Sequence, residues 1–105
     1  MTNKDSALQL LGLAQRARKL VLGTGPTLAA IRKRQVSLVC FPSDGGASQA
    51  KKVADKCAFY HIPLNQSFTK AEISQAVGAN RSVIGIANAG FSKKIITLMT
   101  EKERN

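Results

Sequence analysis

Residues Leu11 to Arg34 read LGLAQRARKLVLGTGPTLAAIRKR, and this stretch decides the fold. Leu11 and Ala14 continue a helical face begun by Ala7 and Leu10 and extended to Ala17. Leu20-Val21-Leu22 is a short extended apolar piece. Gly23-Thr24-Gly25-Pro26 then forms a glycine turn feeding a second helix, with Pro26 suited to its first position. A helix, a short strand, a glycine turn and another helix in succession predict an α/β chain.

The same stretch carries Arg16, Arg18, Lys19, Arg32, Lys33 and Arg34 without one acid. No Asp or Glu occurs between Asp5 and Asp44. Basic side chains therefore flank a helix N-terminus whose free N–H groups and positive dipole end attract anions. For Arg32-Lys33-Arg34 a second reading is open, because cations in the last turn complement the helix dipole.

Outward from this stretch, Asn3 or Asp5 is expected to cap the first helix. Gly12 inside it costs on the order of 1 kcal/mol relative to Ala, which points to close packing or to simple tolerance. Arg16 and Lys19 are three apart and share a turn of helix surface. The second helix is predicted over Pro26–Arg34, with Leu28, Ala29 and Ile31 inward. Ser37–Phe41 reads as a strand buried on both faces, followed by a loop over Pro42–Gly46. A helix over Ala47–Tyr60 has Ala50, Val53, Ala54 and Cys57 as its stripe, and Lys51, Lys52, Asp55 and Lys56 on a solvated face. His61 falls at its end, where a cation is favourable.

Ile62-Pro63-Leu64 begins a short strand. Thr69 and Glu72 have capping-box spacing, Ile73, Ala76 and Val77 form an inner face, and Gly78 stands ready to end that helix. Ser82–Ala87 is a further buried strand in which Gly85 marks close backbone approach. Asn88-Ala89-Gly90 turns into a last helix over Phe91–Lys102, with Phe91, Ile95, Leu98 and Met99 inward and a polar, frayed tail after it. Helices alternating with short apolar strands predict one domain over residues 1–105, a three-layer α-β-α sandwich with a small, largely parallel or mixed sheet.

Composition narrows the function. Sixteen Lys and Arg against six Asp and Glu give +10, which favours a polyanionic partner. No apolar run approaches the roughly 20 residues of a spanning helix. The N-terminus MTNKDSALQ lacks a signal-peptide core, so the expectation is a cytosolic protein. Cys40 and Cys57 are isolated and apolar in setting, which predicts reduced core thiols and no metal site. Scattered acids and a single His leave no constellation for catalysis, and the Gly-Thr-Gly segment is neither a Walker loop nor a dinucleotide fingerprint. No cofactor is implied.

Aromatics at 5% argue against a base-stacking platform and for recognition by backbone charge and shape. Ligands of α/β sheets gather at loops that follow strands. If Gly23–Pro26 and Asn88–Gly90 share an edge, they make one small-residue surface, with Arg16, Arg18 and Lys19 on one side and Lys93 and Lys94 on the other.

The segments LGLAQRARKLVLG, SLVCFPSD, KKVADKCAFYHIP and VIGIANAGFSKKI, in this order, resemble the kink-turn RNA-binding ribosomal proteins of the L7Ae/L30e superfamily, and most closely its small bacterial YlxQ-type members. The resemblance runs from about Ala7 to Met99. It implies an L30e-like α-β-α sandwich that binds RNA kink-turns or related bends, without catalysis or cofactor, as a monomer in a ribosomal or riboswitch setting. It places the RNA site on Gly23, Thr24, Gly25, Pro26 and Thr27 and on the loop with Asn88, Ala89 and Gly90, helped by Arg16, Arg18, Lys19 and Lys93. Strong kink-turn binders carry Asn-Glu after the glycine turn and a Lys three residues beyond the Glu; Gly25, Pro26 and Ala29 stand there in this chain. Two other readings follow from the same likeness: an adaptor associated with ribosomes or translation, and an RNA-binding partner for an RNA-modifying enzyme such as a ribose methyltransferase.

Overall fold

The computed structural model describes residues 2–100, so the polar tail expected after the last helix lies outside the described residues. Five helices and four strands alternate: α1 (Asn3–Arg16), β1 (Leu20–Leu22), α2 (Thr24–Arg32), β2 (Leu38–Cys40), α3 (Ala47–Phe59), β3 (Leu64–Asn65), α4 (Lys70–Val77), β4 (Ile84–Ile86) and α5 (Ala89–Thr100). The strands form one sheet in the order β1-β4-β2-β3. β2 and β3 are parallel, and β4 runs antiparallel to both β1 and β2. The sheet is therefore mixed, and its one reversed strand lies inside it.

Alternation along the strands sends side chains to two cores. Leu38, Cys40, Ile84 and Ile86 join Ala7 and Leu11 of α1, Phe68, Ile73 of α4 and Ile95 of α5. Val39, Phe41 and Val83 face the other way, toward Ala30 and Ile31 of α2 and Val53 and Cys57 of α3. Three helices thus cover one face and two the other, which is the α-β-α sandwich expected. Among the described residues no helix is long and apolar enough to cross a membrane.

Several local expectations are met for the reasons given. Thr69 caps α4: its hydroxyl accepts the Glu72 N–H at 3.1 Å, while the Glu72 carboxylate accepts the Thr69 N–H at 2.8 Å. That backbone N–H, followed by Lys4 at 3.0 Å, holds the Glu72 carboxyl below its usual range. Its contribution is present at neutral pH and is lost as pH falls through the lowered value. Gly78 ends α4 in the left-handed region at φ 68°. Cys40 and Cys57 are free and buried, and burial pushes their thiols up to about 12 and about 11, so both are neutral at physiological pH.

Other details differ. The first helix is capped by Thr2, whose hydroxyl accepts the Asp5 N–H at 3.0 Å, so Asp5 closes the capping box from inside the helix. α2 starts at Thr24, not Pro26. Pro26 is tolerated at its third position because N–H groups of the first turn have no helical acceptor anyway. The inward positions of α2 are Thr27, Ala30 and Ile31, with Leu28 and Ala29 only half-buried. The Thr27 methyl sits where Gly85 leaves room on the sheet, 3.5 Å from where a Gly85 Cβ would lie. α5 starts at Ala89 and buries Ser92 and Ile95, leaving Phe91, Leu98 and Met99 half-buried.

Both interior glycines are points of close approach. A Cβ on Gly12 would lie 3.0 Å from the Ala76 carbonyl oxygen, and one on Gly85 would lie 2.8 Å from Val36 Cγ1. Gly85 is central in β4, paired with Val21 and Val39 on either side, so the strand has little freedom to move away. Gly85→Ala is expected to lower unfolding stability by about 1–3 kcal/mol through overpacking. Urea unfolding of Gly85→Ala and of Gly85→Ala with Val36→Ala checks this, because removing the Val36 methyls should relieve part of the clash.

Candidate nucleic-acid interface

At the C-terminal end of β1 the chain turns at Gly23, with φ 102°, a conformation side chains rarely take. The Gly23 N–H donates to the Val83 carbonyl at 2.8 Å, which pins the turn to the loop entering β4. The first helical hydrogen bond of α2 runs from the Thr27 N–H to the Gly23 carbonyl at 3.0 Å. The N–H groups of Thr24 and Gly25 precede it and have no helical acceptor. Gly25 and Pro26 are exposed, and Thr24 is half-buried. The result is an open helix N-terminus whose backbone a ligand can approach closely.

Its neighbour is Arg81. A Cβ on Gly23 would lie 3.9 Å from Arg81 Cδ, and the Arg81 guanidinium donates to the Asn80 carbonyl at 2.9 Å. The segment Gly78–Ser82 is further tied down by the Ser74 hydroxyl, which donates to the Arg81 carbonyl at 3.1 Å. Arg81 was not among the residues expected to bind. The available signal was a cation just before a strand that pairs antiparallel with Leu20–Leu22, and the sequence does not say which strand of a mixed sheet is the reversed one.

The structure does not bring the two predicted turns together. Leu22 pairs with Ile84 and Leu20 with Ile86, so β4 enters beside Gly23 and leaves at the far end of β1. There the Ala87 N–H donates to the Lys19 carbonyl at 2.7 Å. Asn88, Ala89 and Gly90 therefore lie at the opposite end of the sheet from Gly23–Pro26. Asn88 has a local task, since its side chain accepts the Phe91 N–H at 2.8 Å and caps α5. Lys93 follows in α5 and is exposed.

Arg16, Arg18 and Lys19 go with that far end. α1 stops at Arg16, and Arg18 takes a left-handed conformation at φ 60°, which turns the chain into β1. Arg16 and Lys19 are consequently not one helical turn. Lys51 and Lys52, in the early turns of α3, belong instead to the Gly23 end, because β1 and β2 point the same way and α2 and α3 both start there. Lys51 is paired with Asp55 at 3.0 Å. Thr27 is likewise removed from any surface: its side chain is fully buried and its N–H is engaged with Gly23. Among the described residues no group of His, Cys, Asp or Glu could hold a metal.

A profile of the ribosomal protein L7Ae/L30e/S12e/Gadd45 family matches residues 5–96. The chain belongs to this family. Two relatives share most of its length. The RNA-binding protein YlxQ of Enterococcus faecium is 41% identical over 92 residues, covering 88% of this chain and 89% of that protein. The RNA-binding protein YlxQ of Bacillus subtilis is 37% identical over 91 residues, covering 86% and 91%. Among solved structures, a Bacillus halodurans protein of unknown function superposes with a TM-score of 0.87 at 42% identity, covering 90% of this chain and 97% of that one. The Giardia lamblia 15.5kD RNA binding protein superposes with a TM-score of 0.79 at 13% identity, covering 91% and 83%, which speaks to the fold alone.

The Thr27 hydroxyl has no hydrogen-bond partner although it is wholly buried. An unpaired buried hydroxyl costs about 1–3 kcal/mol. Thr27→Val is therefore expected to raise stability by about 1 kcal/mol or more and to leave RNA affinity unchanged. Thermal melting and an RNA titration of the same variant check both halves.

Proposed function

We propose that this protein is a non-catalytic RNA-binding protein that holds a kinked or otherwise structured RNA against the edge formed by Gly23–Pro26 and Arg81. The observation that carries the reading is the exposed N-terminus of α2, whose Thr24 and Gly25 N–H groups have no helical acceptor, at a turn where a Gly23 Cβ would lie 3.9 Å from Arg81 Cδ. Free N–H groups, the positive end of a helix dipole and one arginine suit a sharply bent phosphate backbone, which crowds negative charge into a small volume. The names of the Enterococcus faecium and Bacillus subtilis relatives support RNA as the polyanion. The family's ribosomal members make ribosomal RNA, or another folded RNA such as a riboswitch, the target class to test first. The protein acts as a monomer in the cytoplasm, and any chemistry on the RNA belongs to a partner.

Gly25, Pro26 and Ala29 occupy the positions where side chains read a kink-turn in strong binders of this superfamily. With backbone groups and one arginine at this edge and no base-reading side chain at these three positions, the protein distinguishes bends from plain duplex by shape and charge density rather than by base edges.

Two outcomes are expected. Affinity for structured RNA falls linearly on a log–log plot against salt, with a slope equivalent to roughly three to six phosphate contacts. Isothermal titration across a salt series reads it, and no binding at low salt would sink the proposal. Gly25→Asn, Pro26→Glu and Ala29→Lys together are expected to sharpen preference for a kink-turn over a duplex by about 1–3 kcal/mol, the scale of one base-reading pair of hydrogen bonds. An unaltered protein that already prefers the kink-turn a hundredfold would contradict the role given to these three positions.

A further inference from the structure

Four loops gather at the end of the sheet opposite Gly23. Arg18 and Lys19 lead into β1, Arg34 and Gln35 toward β2, His61 toward β3, and Ala87 leaves β4. Hydrogen bonds lace them together. The Ala87 N–H reaches the Lys19 carbonyl at 2.7 Å, the Ser37 N–H reaches the Ile86 carbonyl at 2.9 Å, and the Ser37 and buried Ser92 hydroxyls meet at 2.6 Å. On the β3 side the Arg34 guanidinium lies 5.3 Å from the centre of the Tyr60 ring. This end exposes eight Lys and Arg side chains, from the segments Arg16–Lys19, Arg32–Arg34 and Lys93–Lys94, which is half of the chain's sixteen. Of the described acids, Asp5 caps the far end of α1, Asp44 and Glu72 accept the Lys70 and Thr69 N–H groups at the start of α4, and Asp55 is paired with Lys51.

The backbone adds an independent observation. Arg18 (φ 60°), Arg34 (φ 55°) and His61 (φ 57°) are the non-glycine residues with positive φ among those described. Each sits just past the C-cap of α1, α2 or α3, where glycine takes the left-handed conformation without penalty. α4, which ends elsewhere, uses Gly78. The dipoles of α1 and α2 are already met by Arg16 and Arg32 in their last turns, so they give no reason for a strained arginine beyond them. Phe59, 73% exposed, stands edge-on to the same Tyr60 ring that Arg34 approaches, with ring centres 4.9 Å apart.

We propose that this end is a second RNA-binding surface, on which the arginines and lysines hold phosphates and Phe59 stacks an unpaired base. It rests on the reading of the protein as an RNA binder, and it is distinct from the Gly23 edge. The three residues of β1 keep the two roughly 10 Å apart at the usual strand rise. That exceeds the screening length of about 8 Å at physiological salt. An acidic protein would answer the charge, but a bare aromatic ring among cations is the combination that suits an unpaired nucleotide. Two basic contacts at opposite ends let the protein bridge two segments of one folded RNA.

The test uses the whole chain and a labelled RNA duplex with a single-stranded overhang, followed by fluorescence anisotropy over a salt series. Arg18→Gly, Lys19→Gln and Arg34→Gly together are expected to weaken binding at least tenfold and to reduce the salt slope by about two. Melting should be no lower than wild type, since two of the changes relieve left-handed arginines. Lys93→Gln with Lys94→Gln, on exposed helix positions, is expected to weaken binding in the same direction without touching the strained backbone. Phe59→Ala should weaken the tailed duplex but not a blunt one. Lys70→Gln, an exposed lysine at the start of α4 that belongs to neither surface, should leave binding of this probe within twofold. Wild-type affinity in the triple variant overturns the inference. So does loss only of a polyglutamate peptide of matched charge, which would mark the surface as one for an acidic protein. If the wild-type chain binds no RNA at low salt, the RNA reading itself falls, a result distinct from either of these.

Discussion

The insertion of one antiparallel strand between two parallel ones governs the molecule. β4 pairs on both sides, Gly85 lying between Val21 and Val39, and Ile84 and Ile86 are wholly buried. Its three residues complete the backbone hydrogen bonding of β1 and β2 and divide the apolar side chains between the two cores. Because its register puts Gly85 under Val36 and Thr27, the α2 layer can settle directly onto the strand. A reversed central strand also decides which loops are neighbours, and that decision sets the chemistry at each end.

At one end, the strand's entry loop brings Arg81 to the open N-terminus of α2. The anion site proposed for this end is made mostly of backbone: a glycine with φ 102° and helix N–H groups, with one arginine beside them. Acids are present nearby in structural tasks, with Asp44 accepting the Lys70 N–H at 2.8 Å and Glu72 closing the α4 cap. At the other end, the strand's exit loop joins the tails of α1, α2 and α3, and the charge there is unopposed among the described residues. Fold and electrostatics therefore give the molecule a polarity along its strands that the net charge of +10 does not reveal.

Helix termination is the link between the two levels. α1, α2 and α3 finish in the same way, with reversed hydrogen bonds such as Lys19 N–H to the Ala14 carbonyl at 2.9 Å and Gln35 N–H to the Ala30 carbonyl at 2.9 Å. Such endings need one left-handed residue. Putting Arg18, Arg34 and His61 there accepts local strain and projects polar side chains from the end of the sandwich where β1, β2 and β3 begin and β4 ends.

Periodicity along the chain determined the helices and strands, the capping box at Thr69, the two buried thiols and the α-β-α layering, because each depends on residues within a turn or two of one another. The family likeness was legible in the same local segments, and so was the glycine turn at Gly23. Strand direction was not legible, since Ser82–Ala87 is apolar on both faces and reads alike in either sense. Only the tertiary structure decided that β4 runs backwards, and with it that Arg81 faces Gly23 while Asn88–Gly90 and Arg16–Lys19 lie at the far end. It also decided that Thr27 turns inward, because the space it fills exists only once Gly85 of a strand more than fifty residues away has been laid beneath it. Pairing across such distances follows from register and packing, and no local run of residues encodes either one.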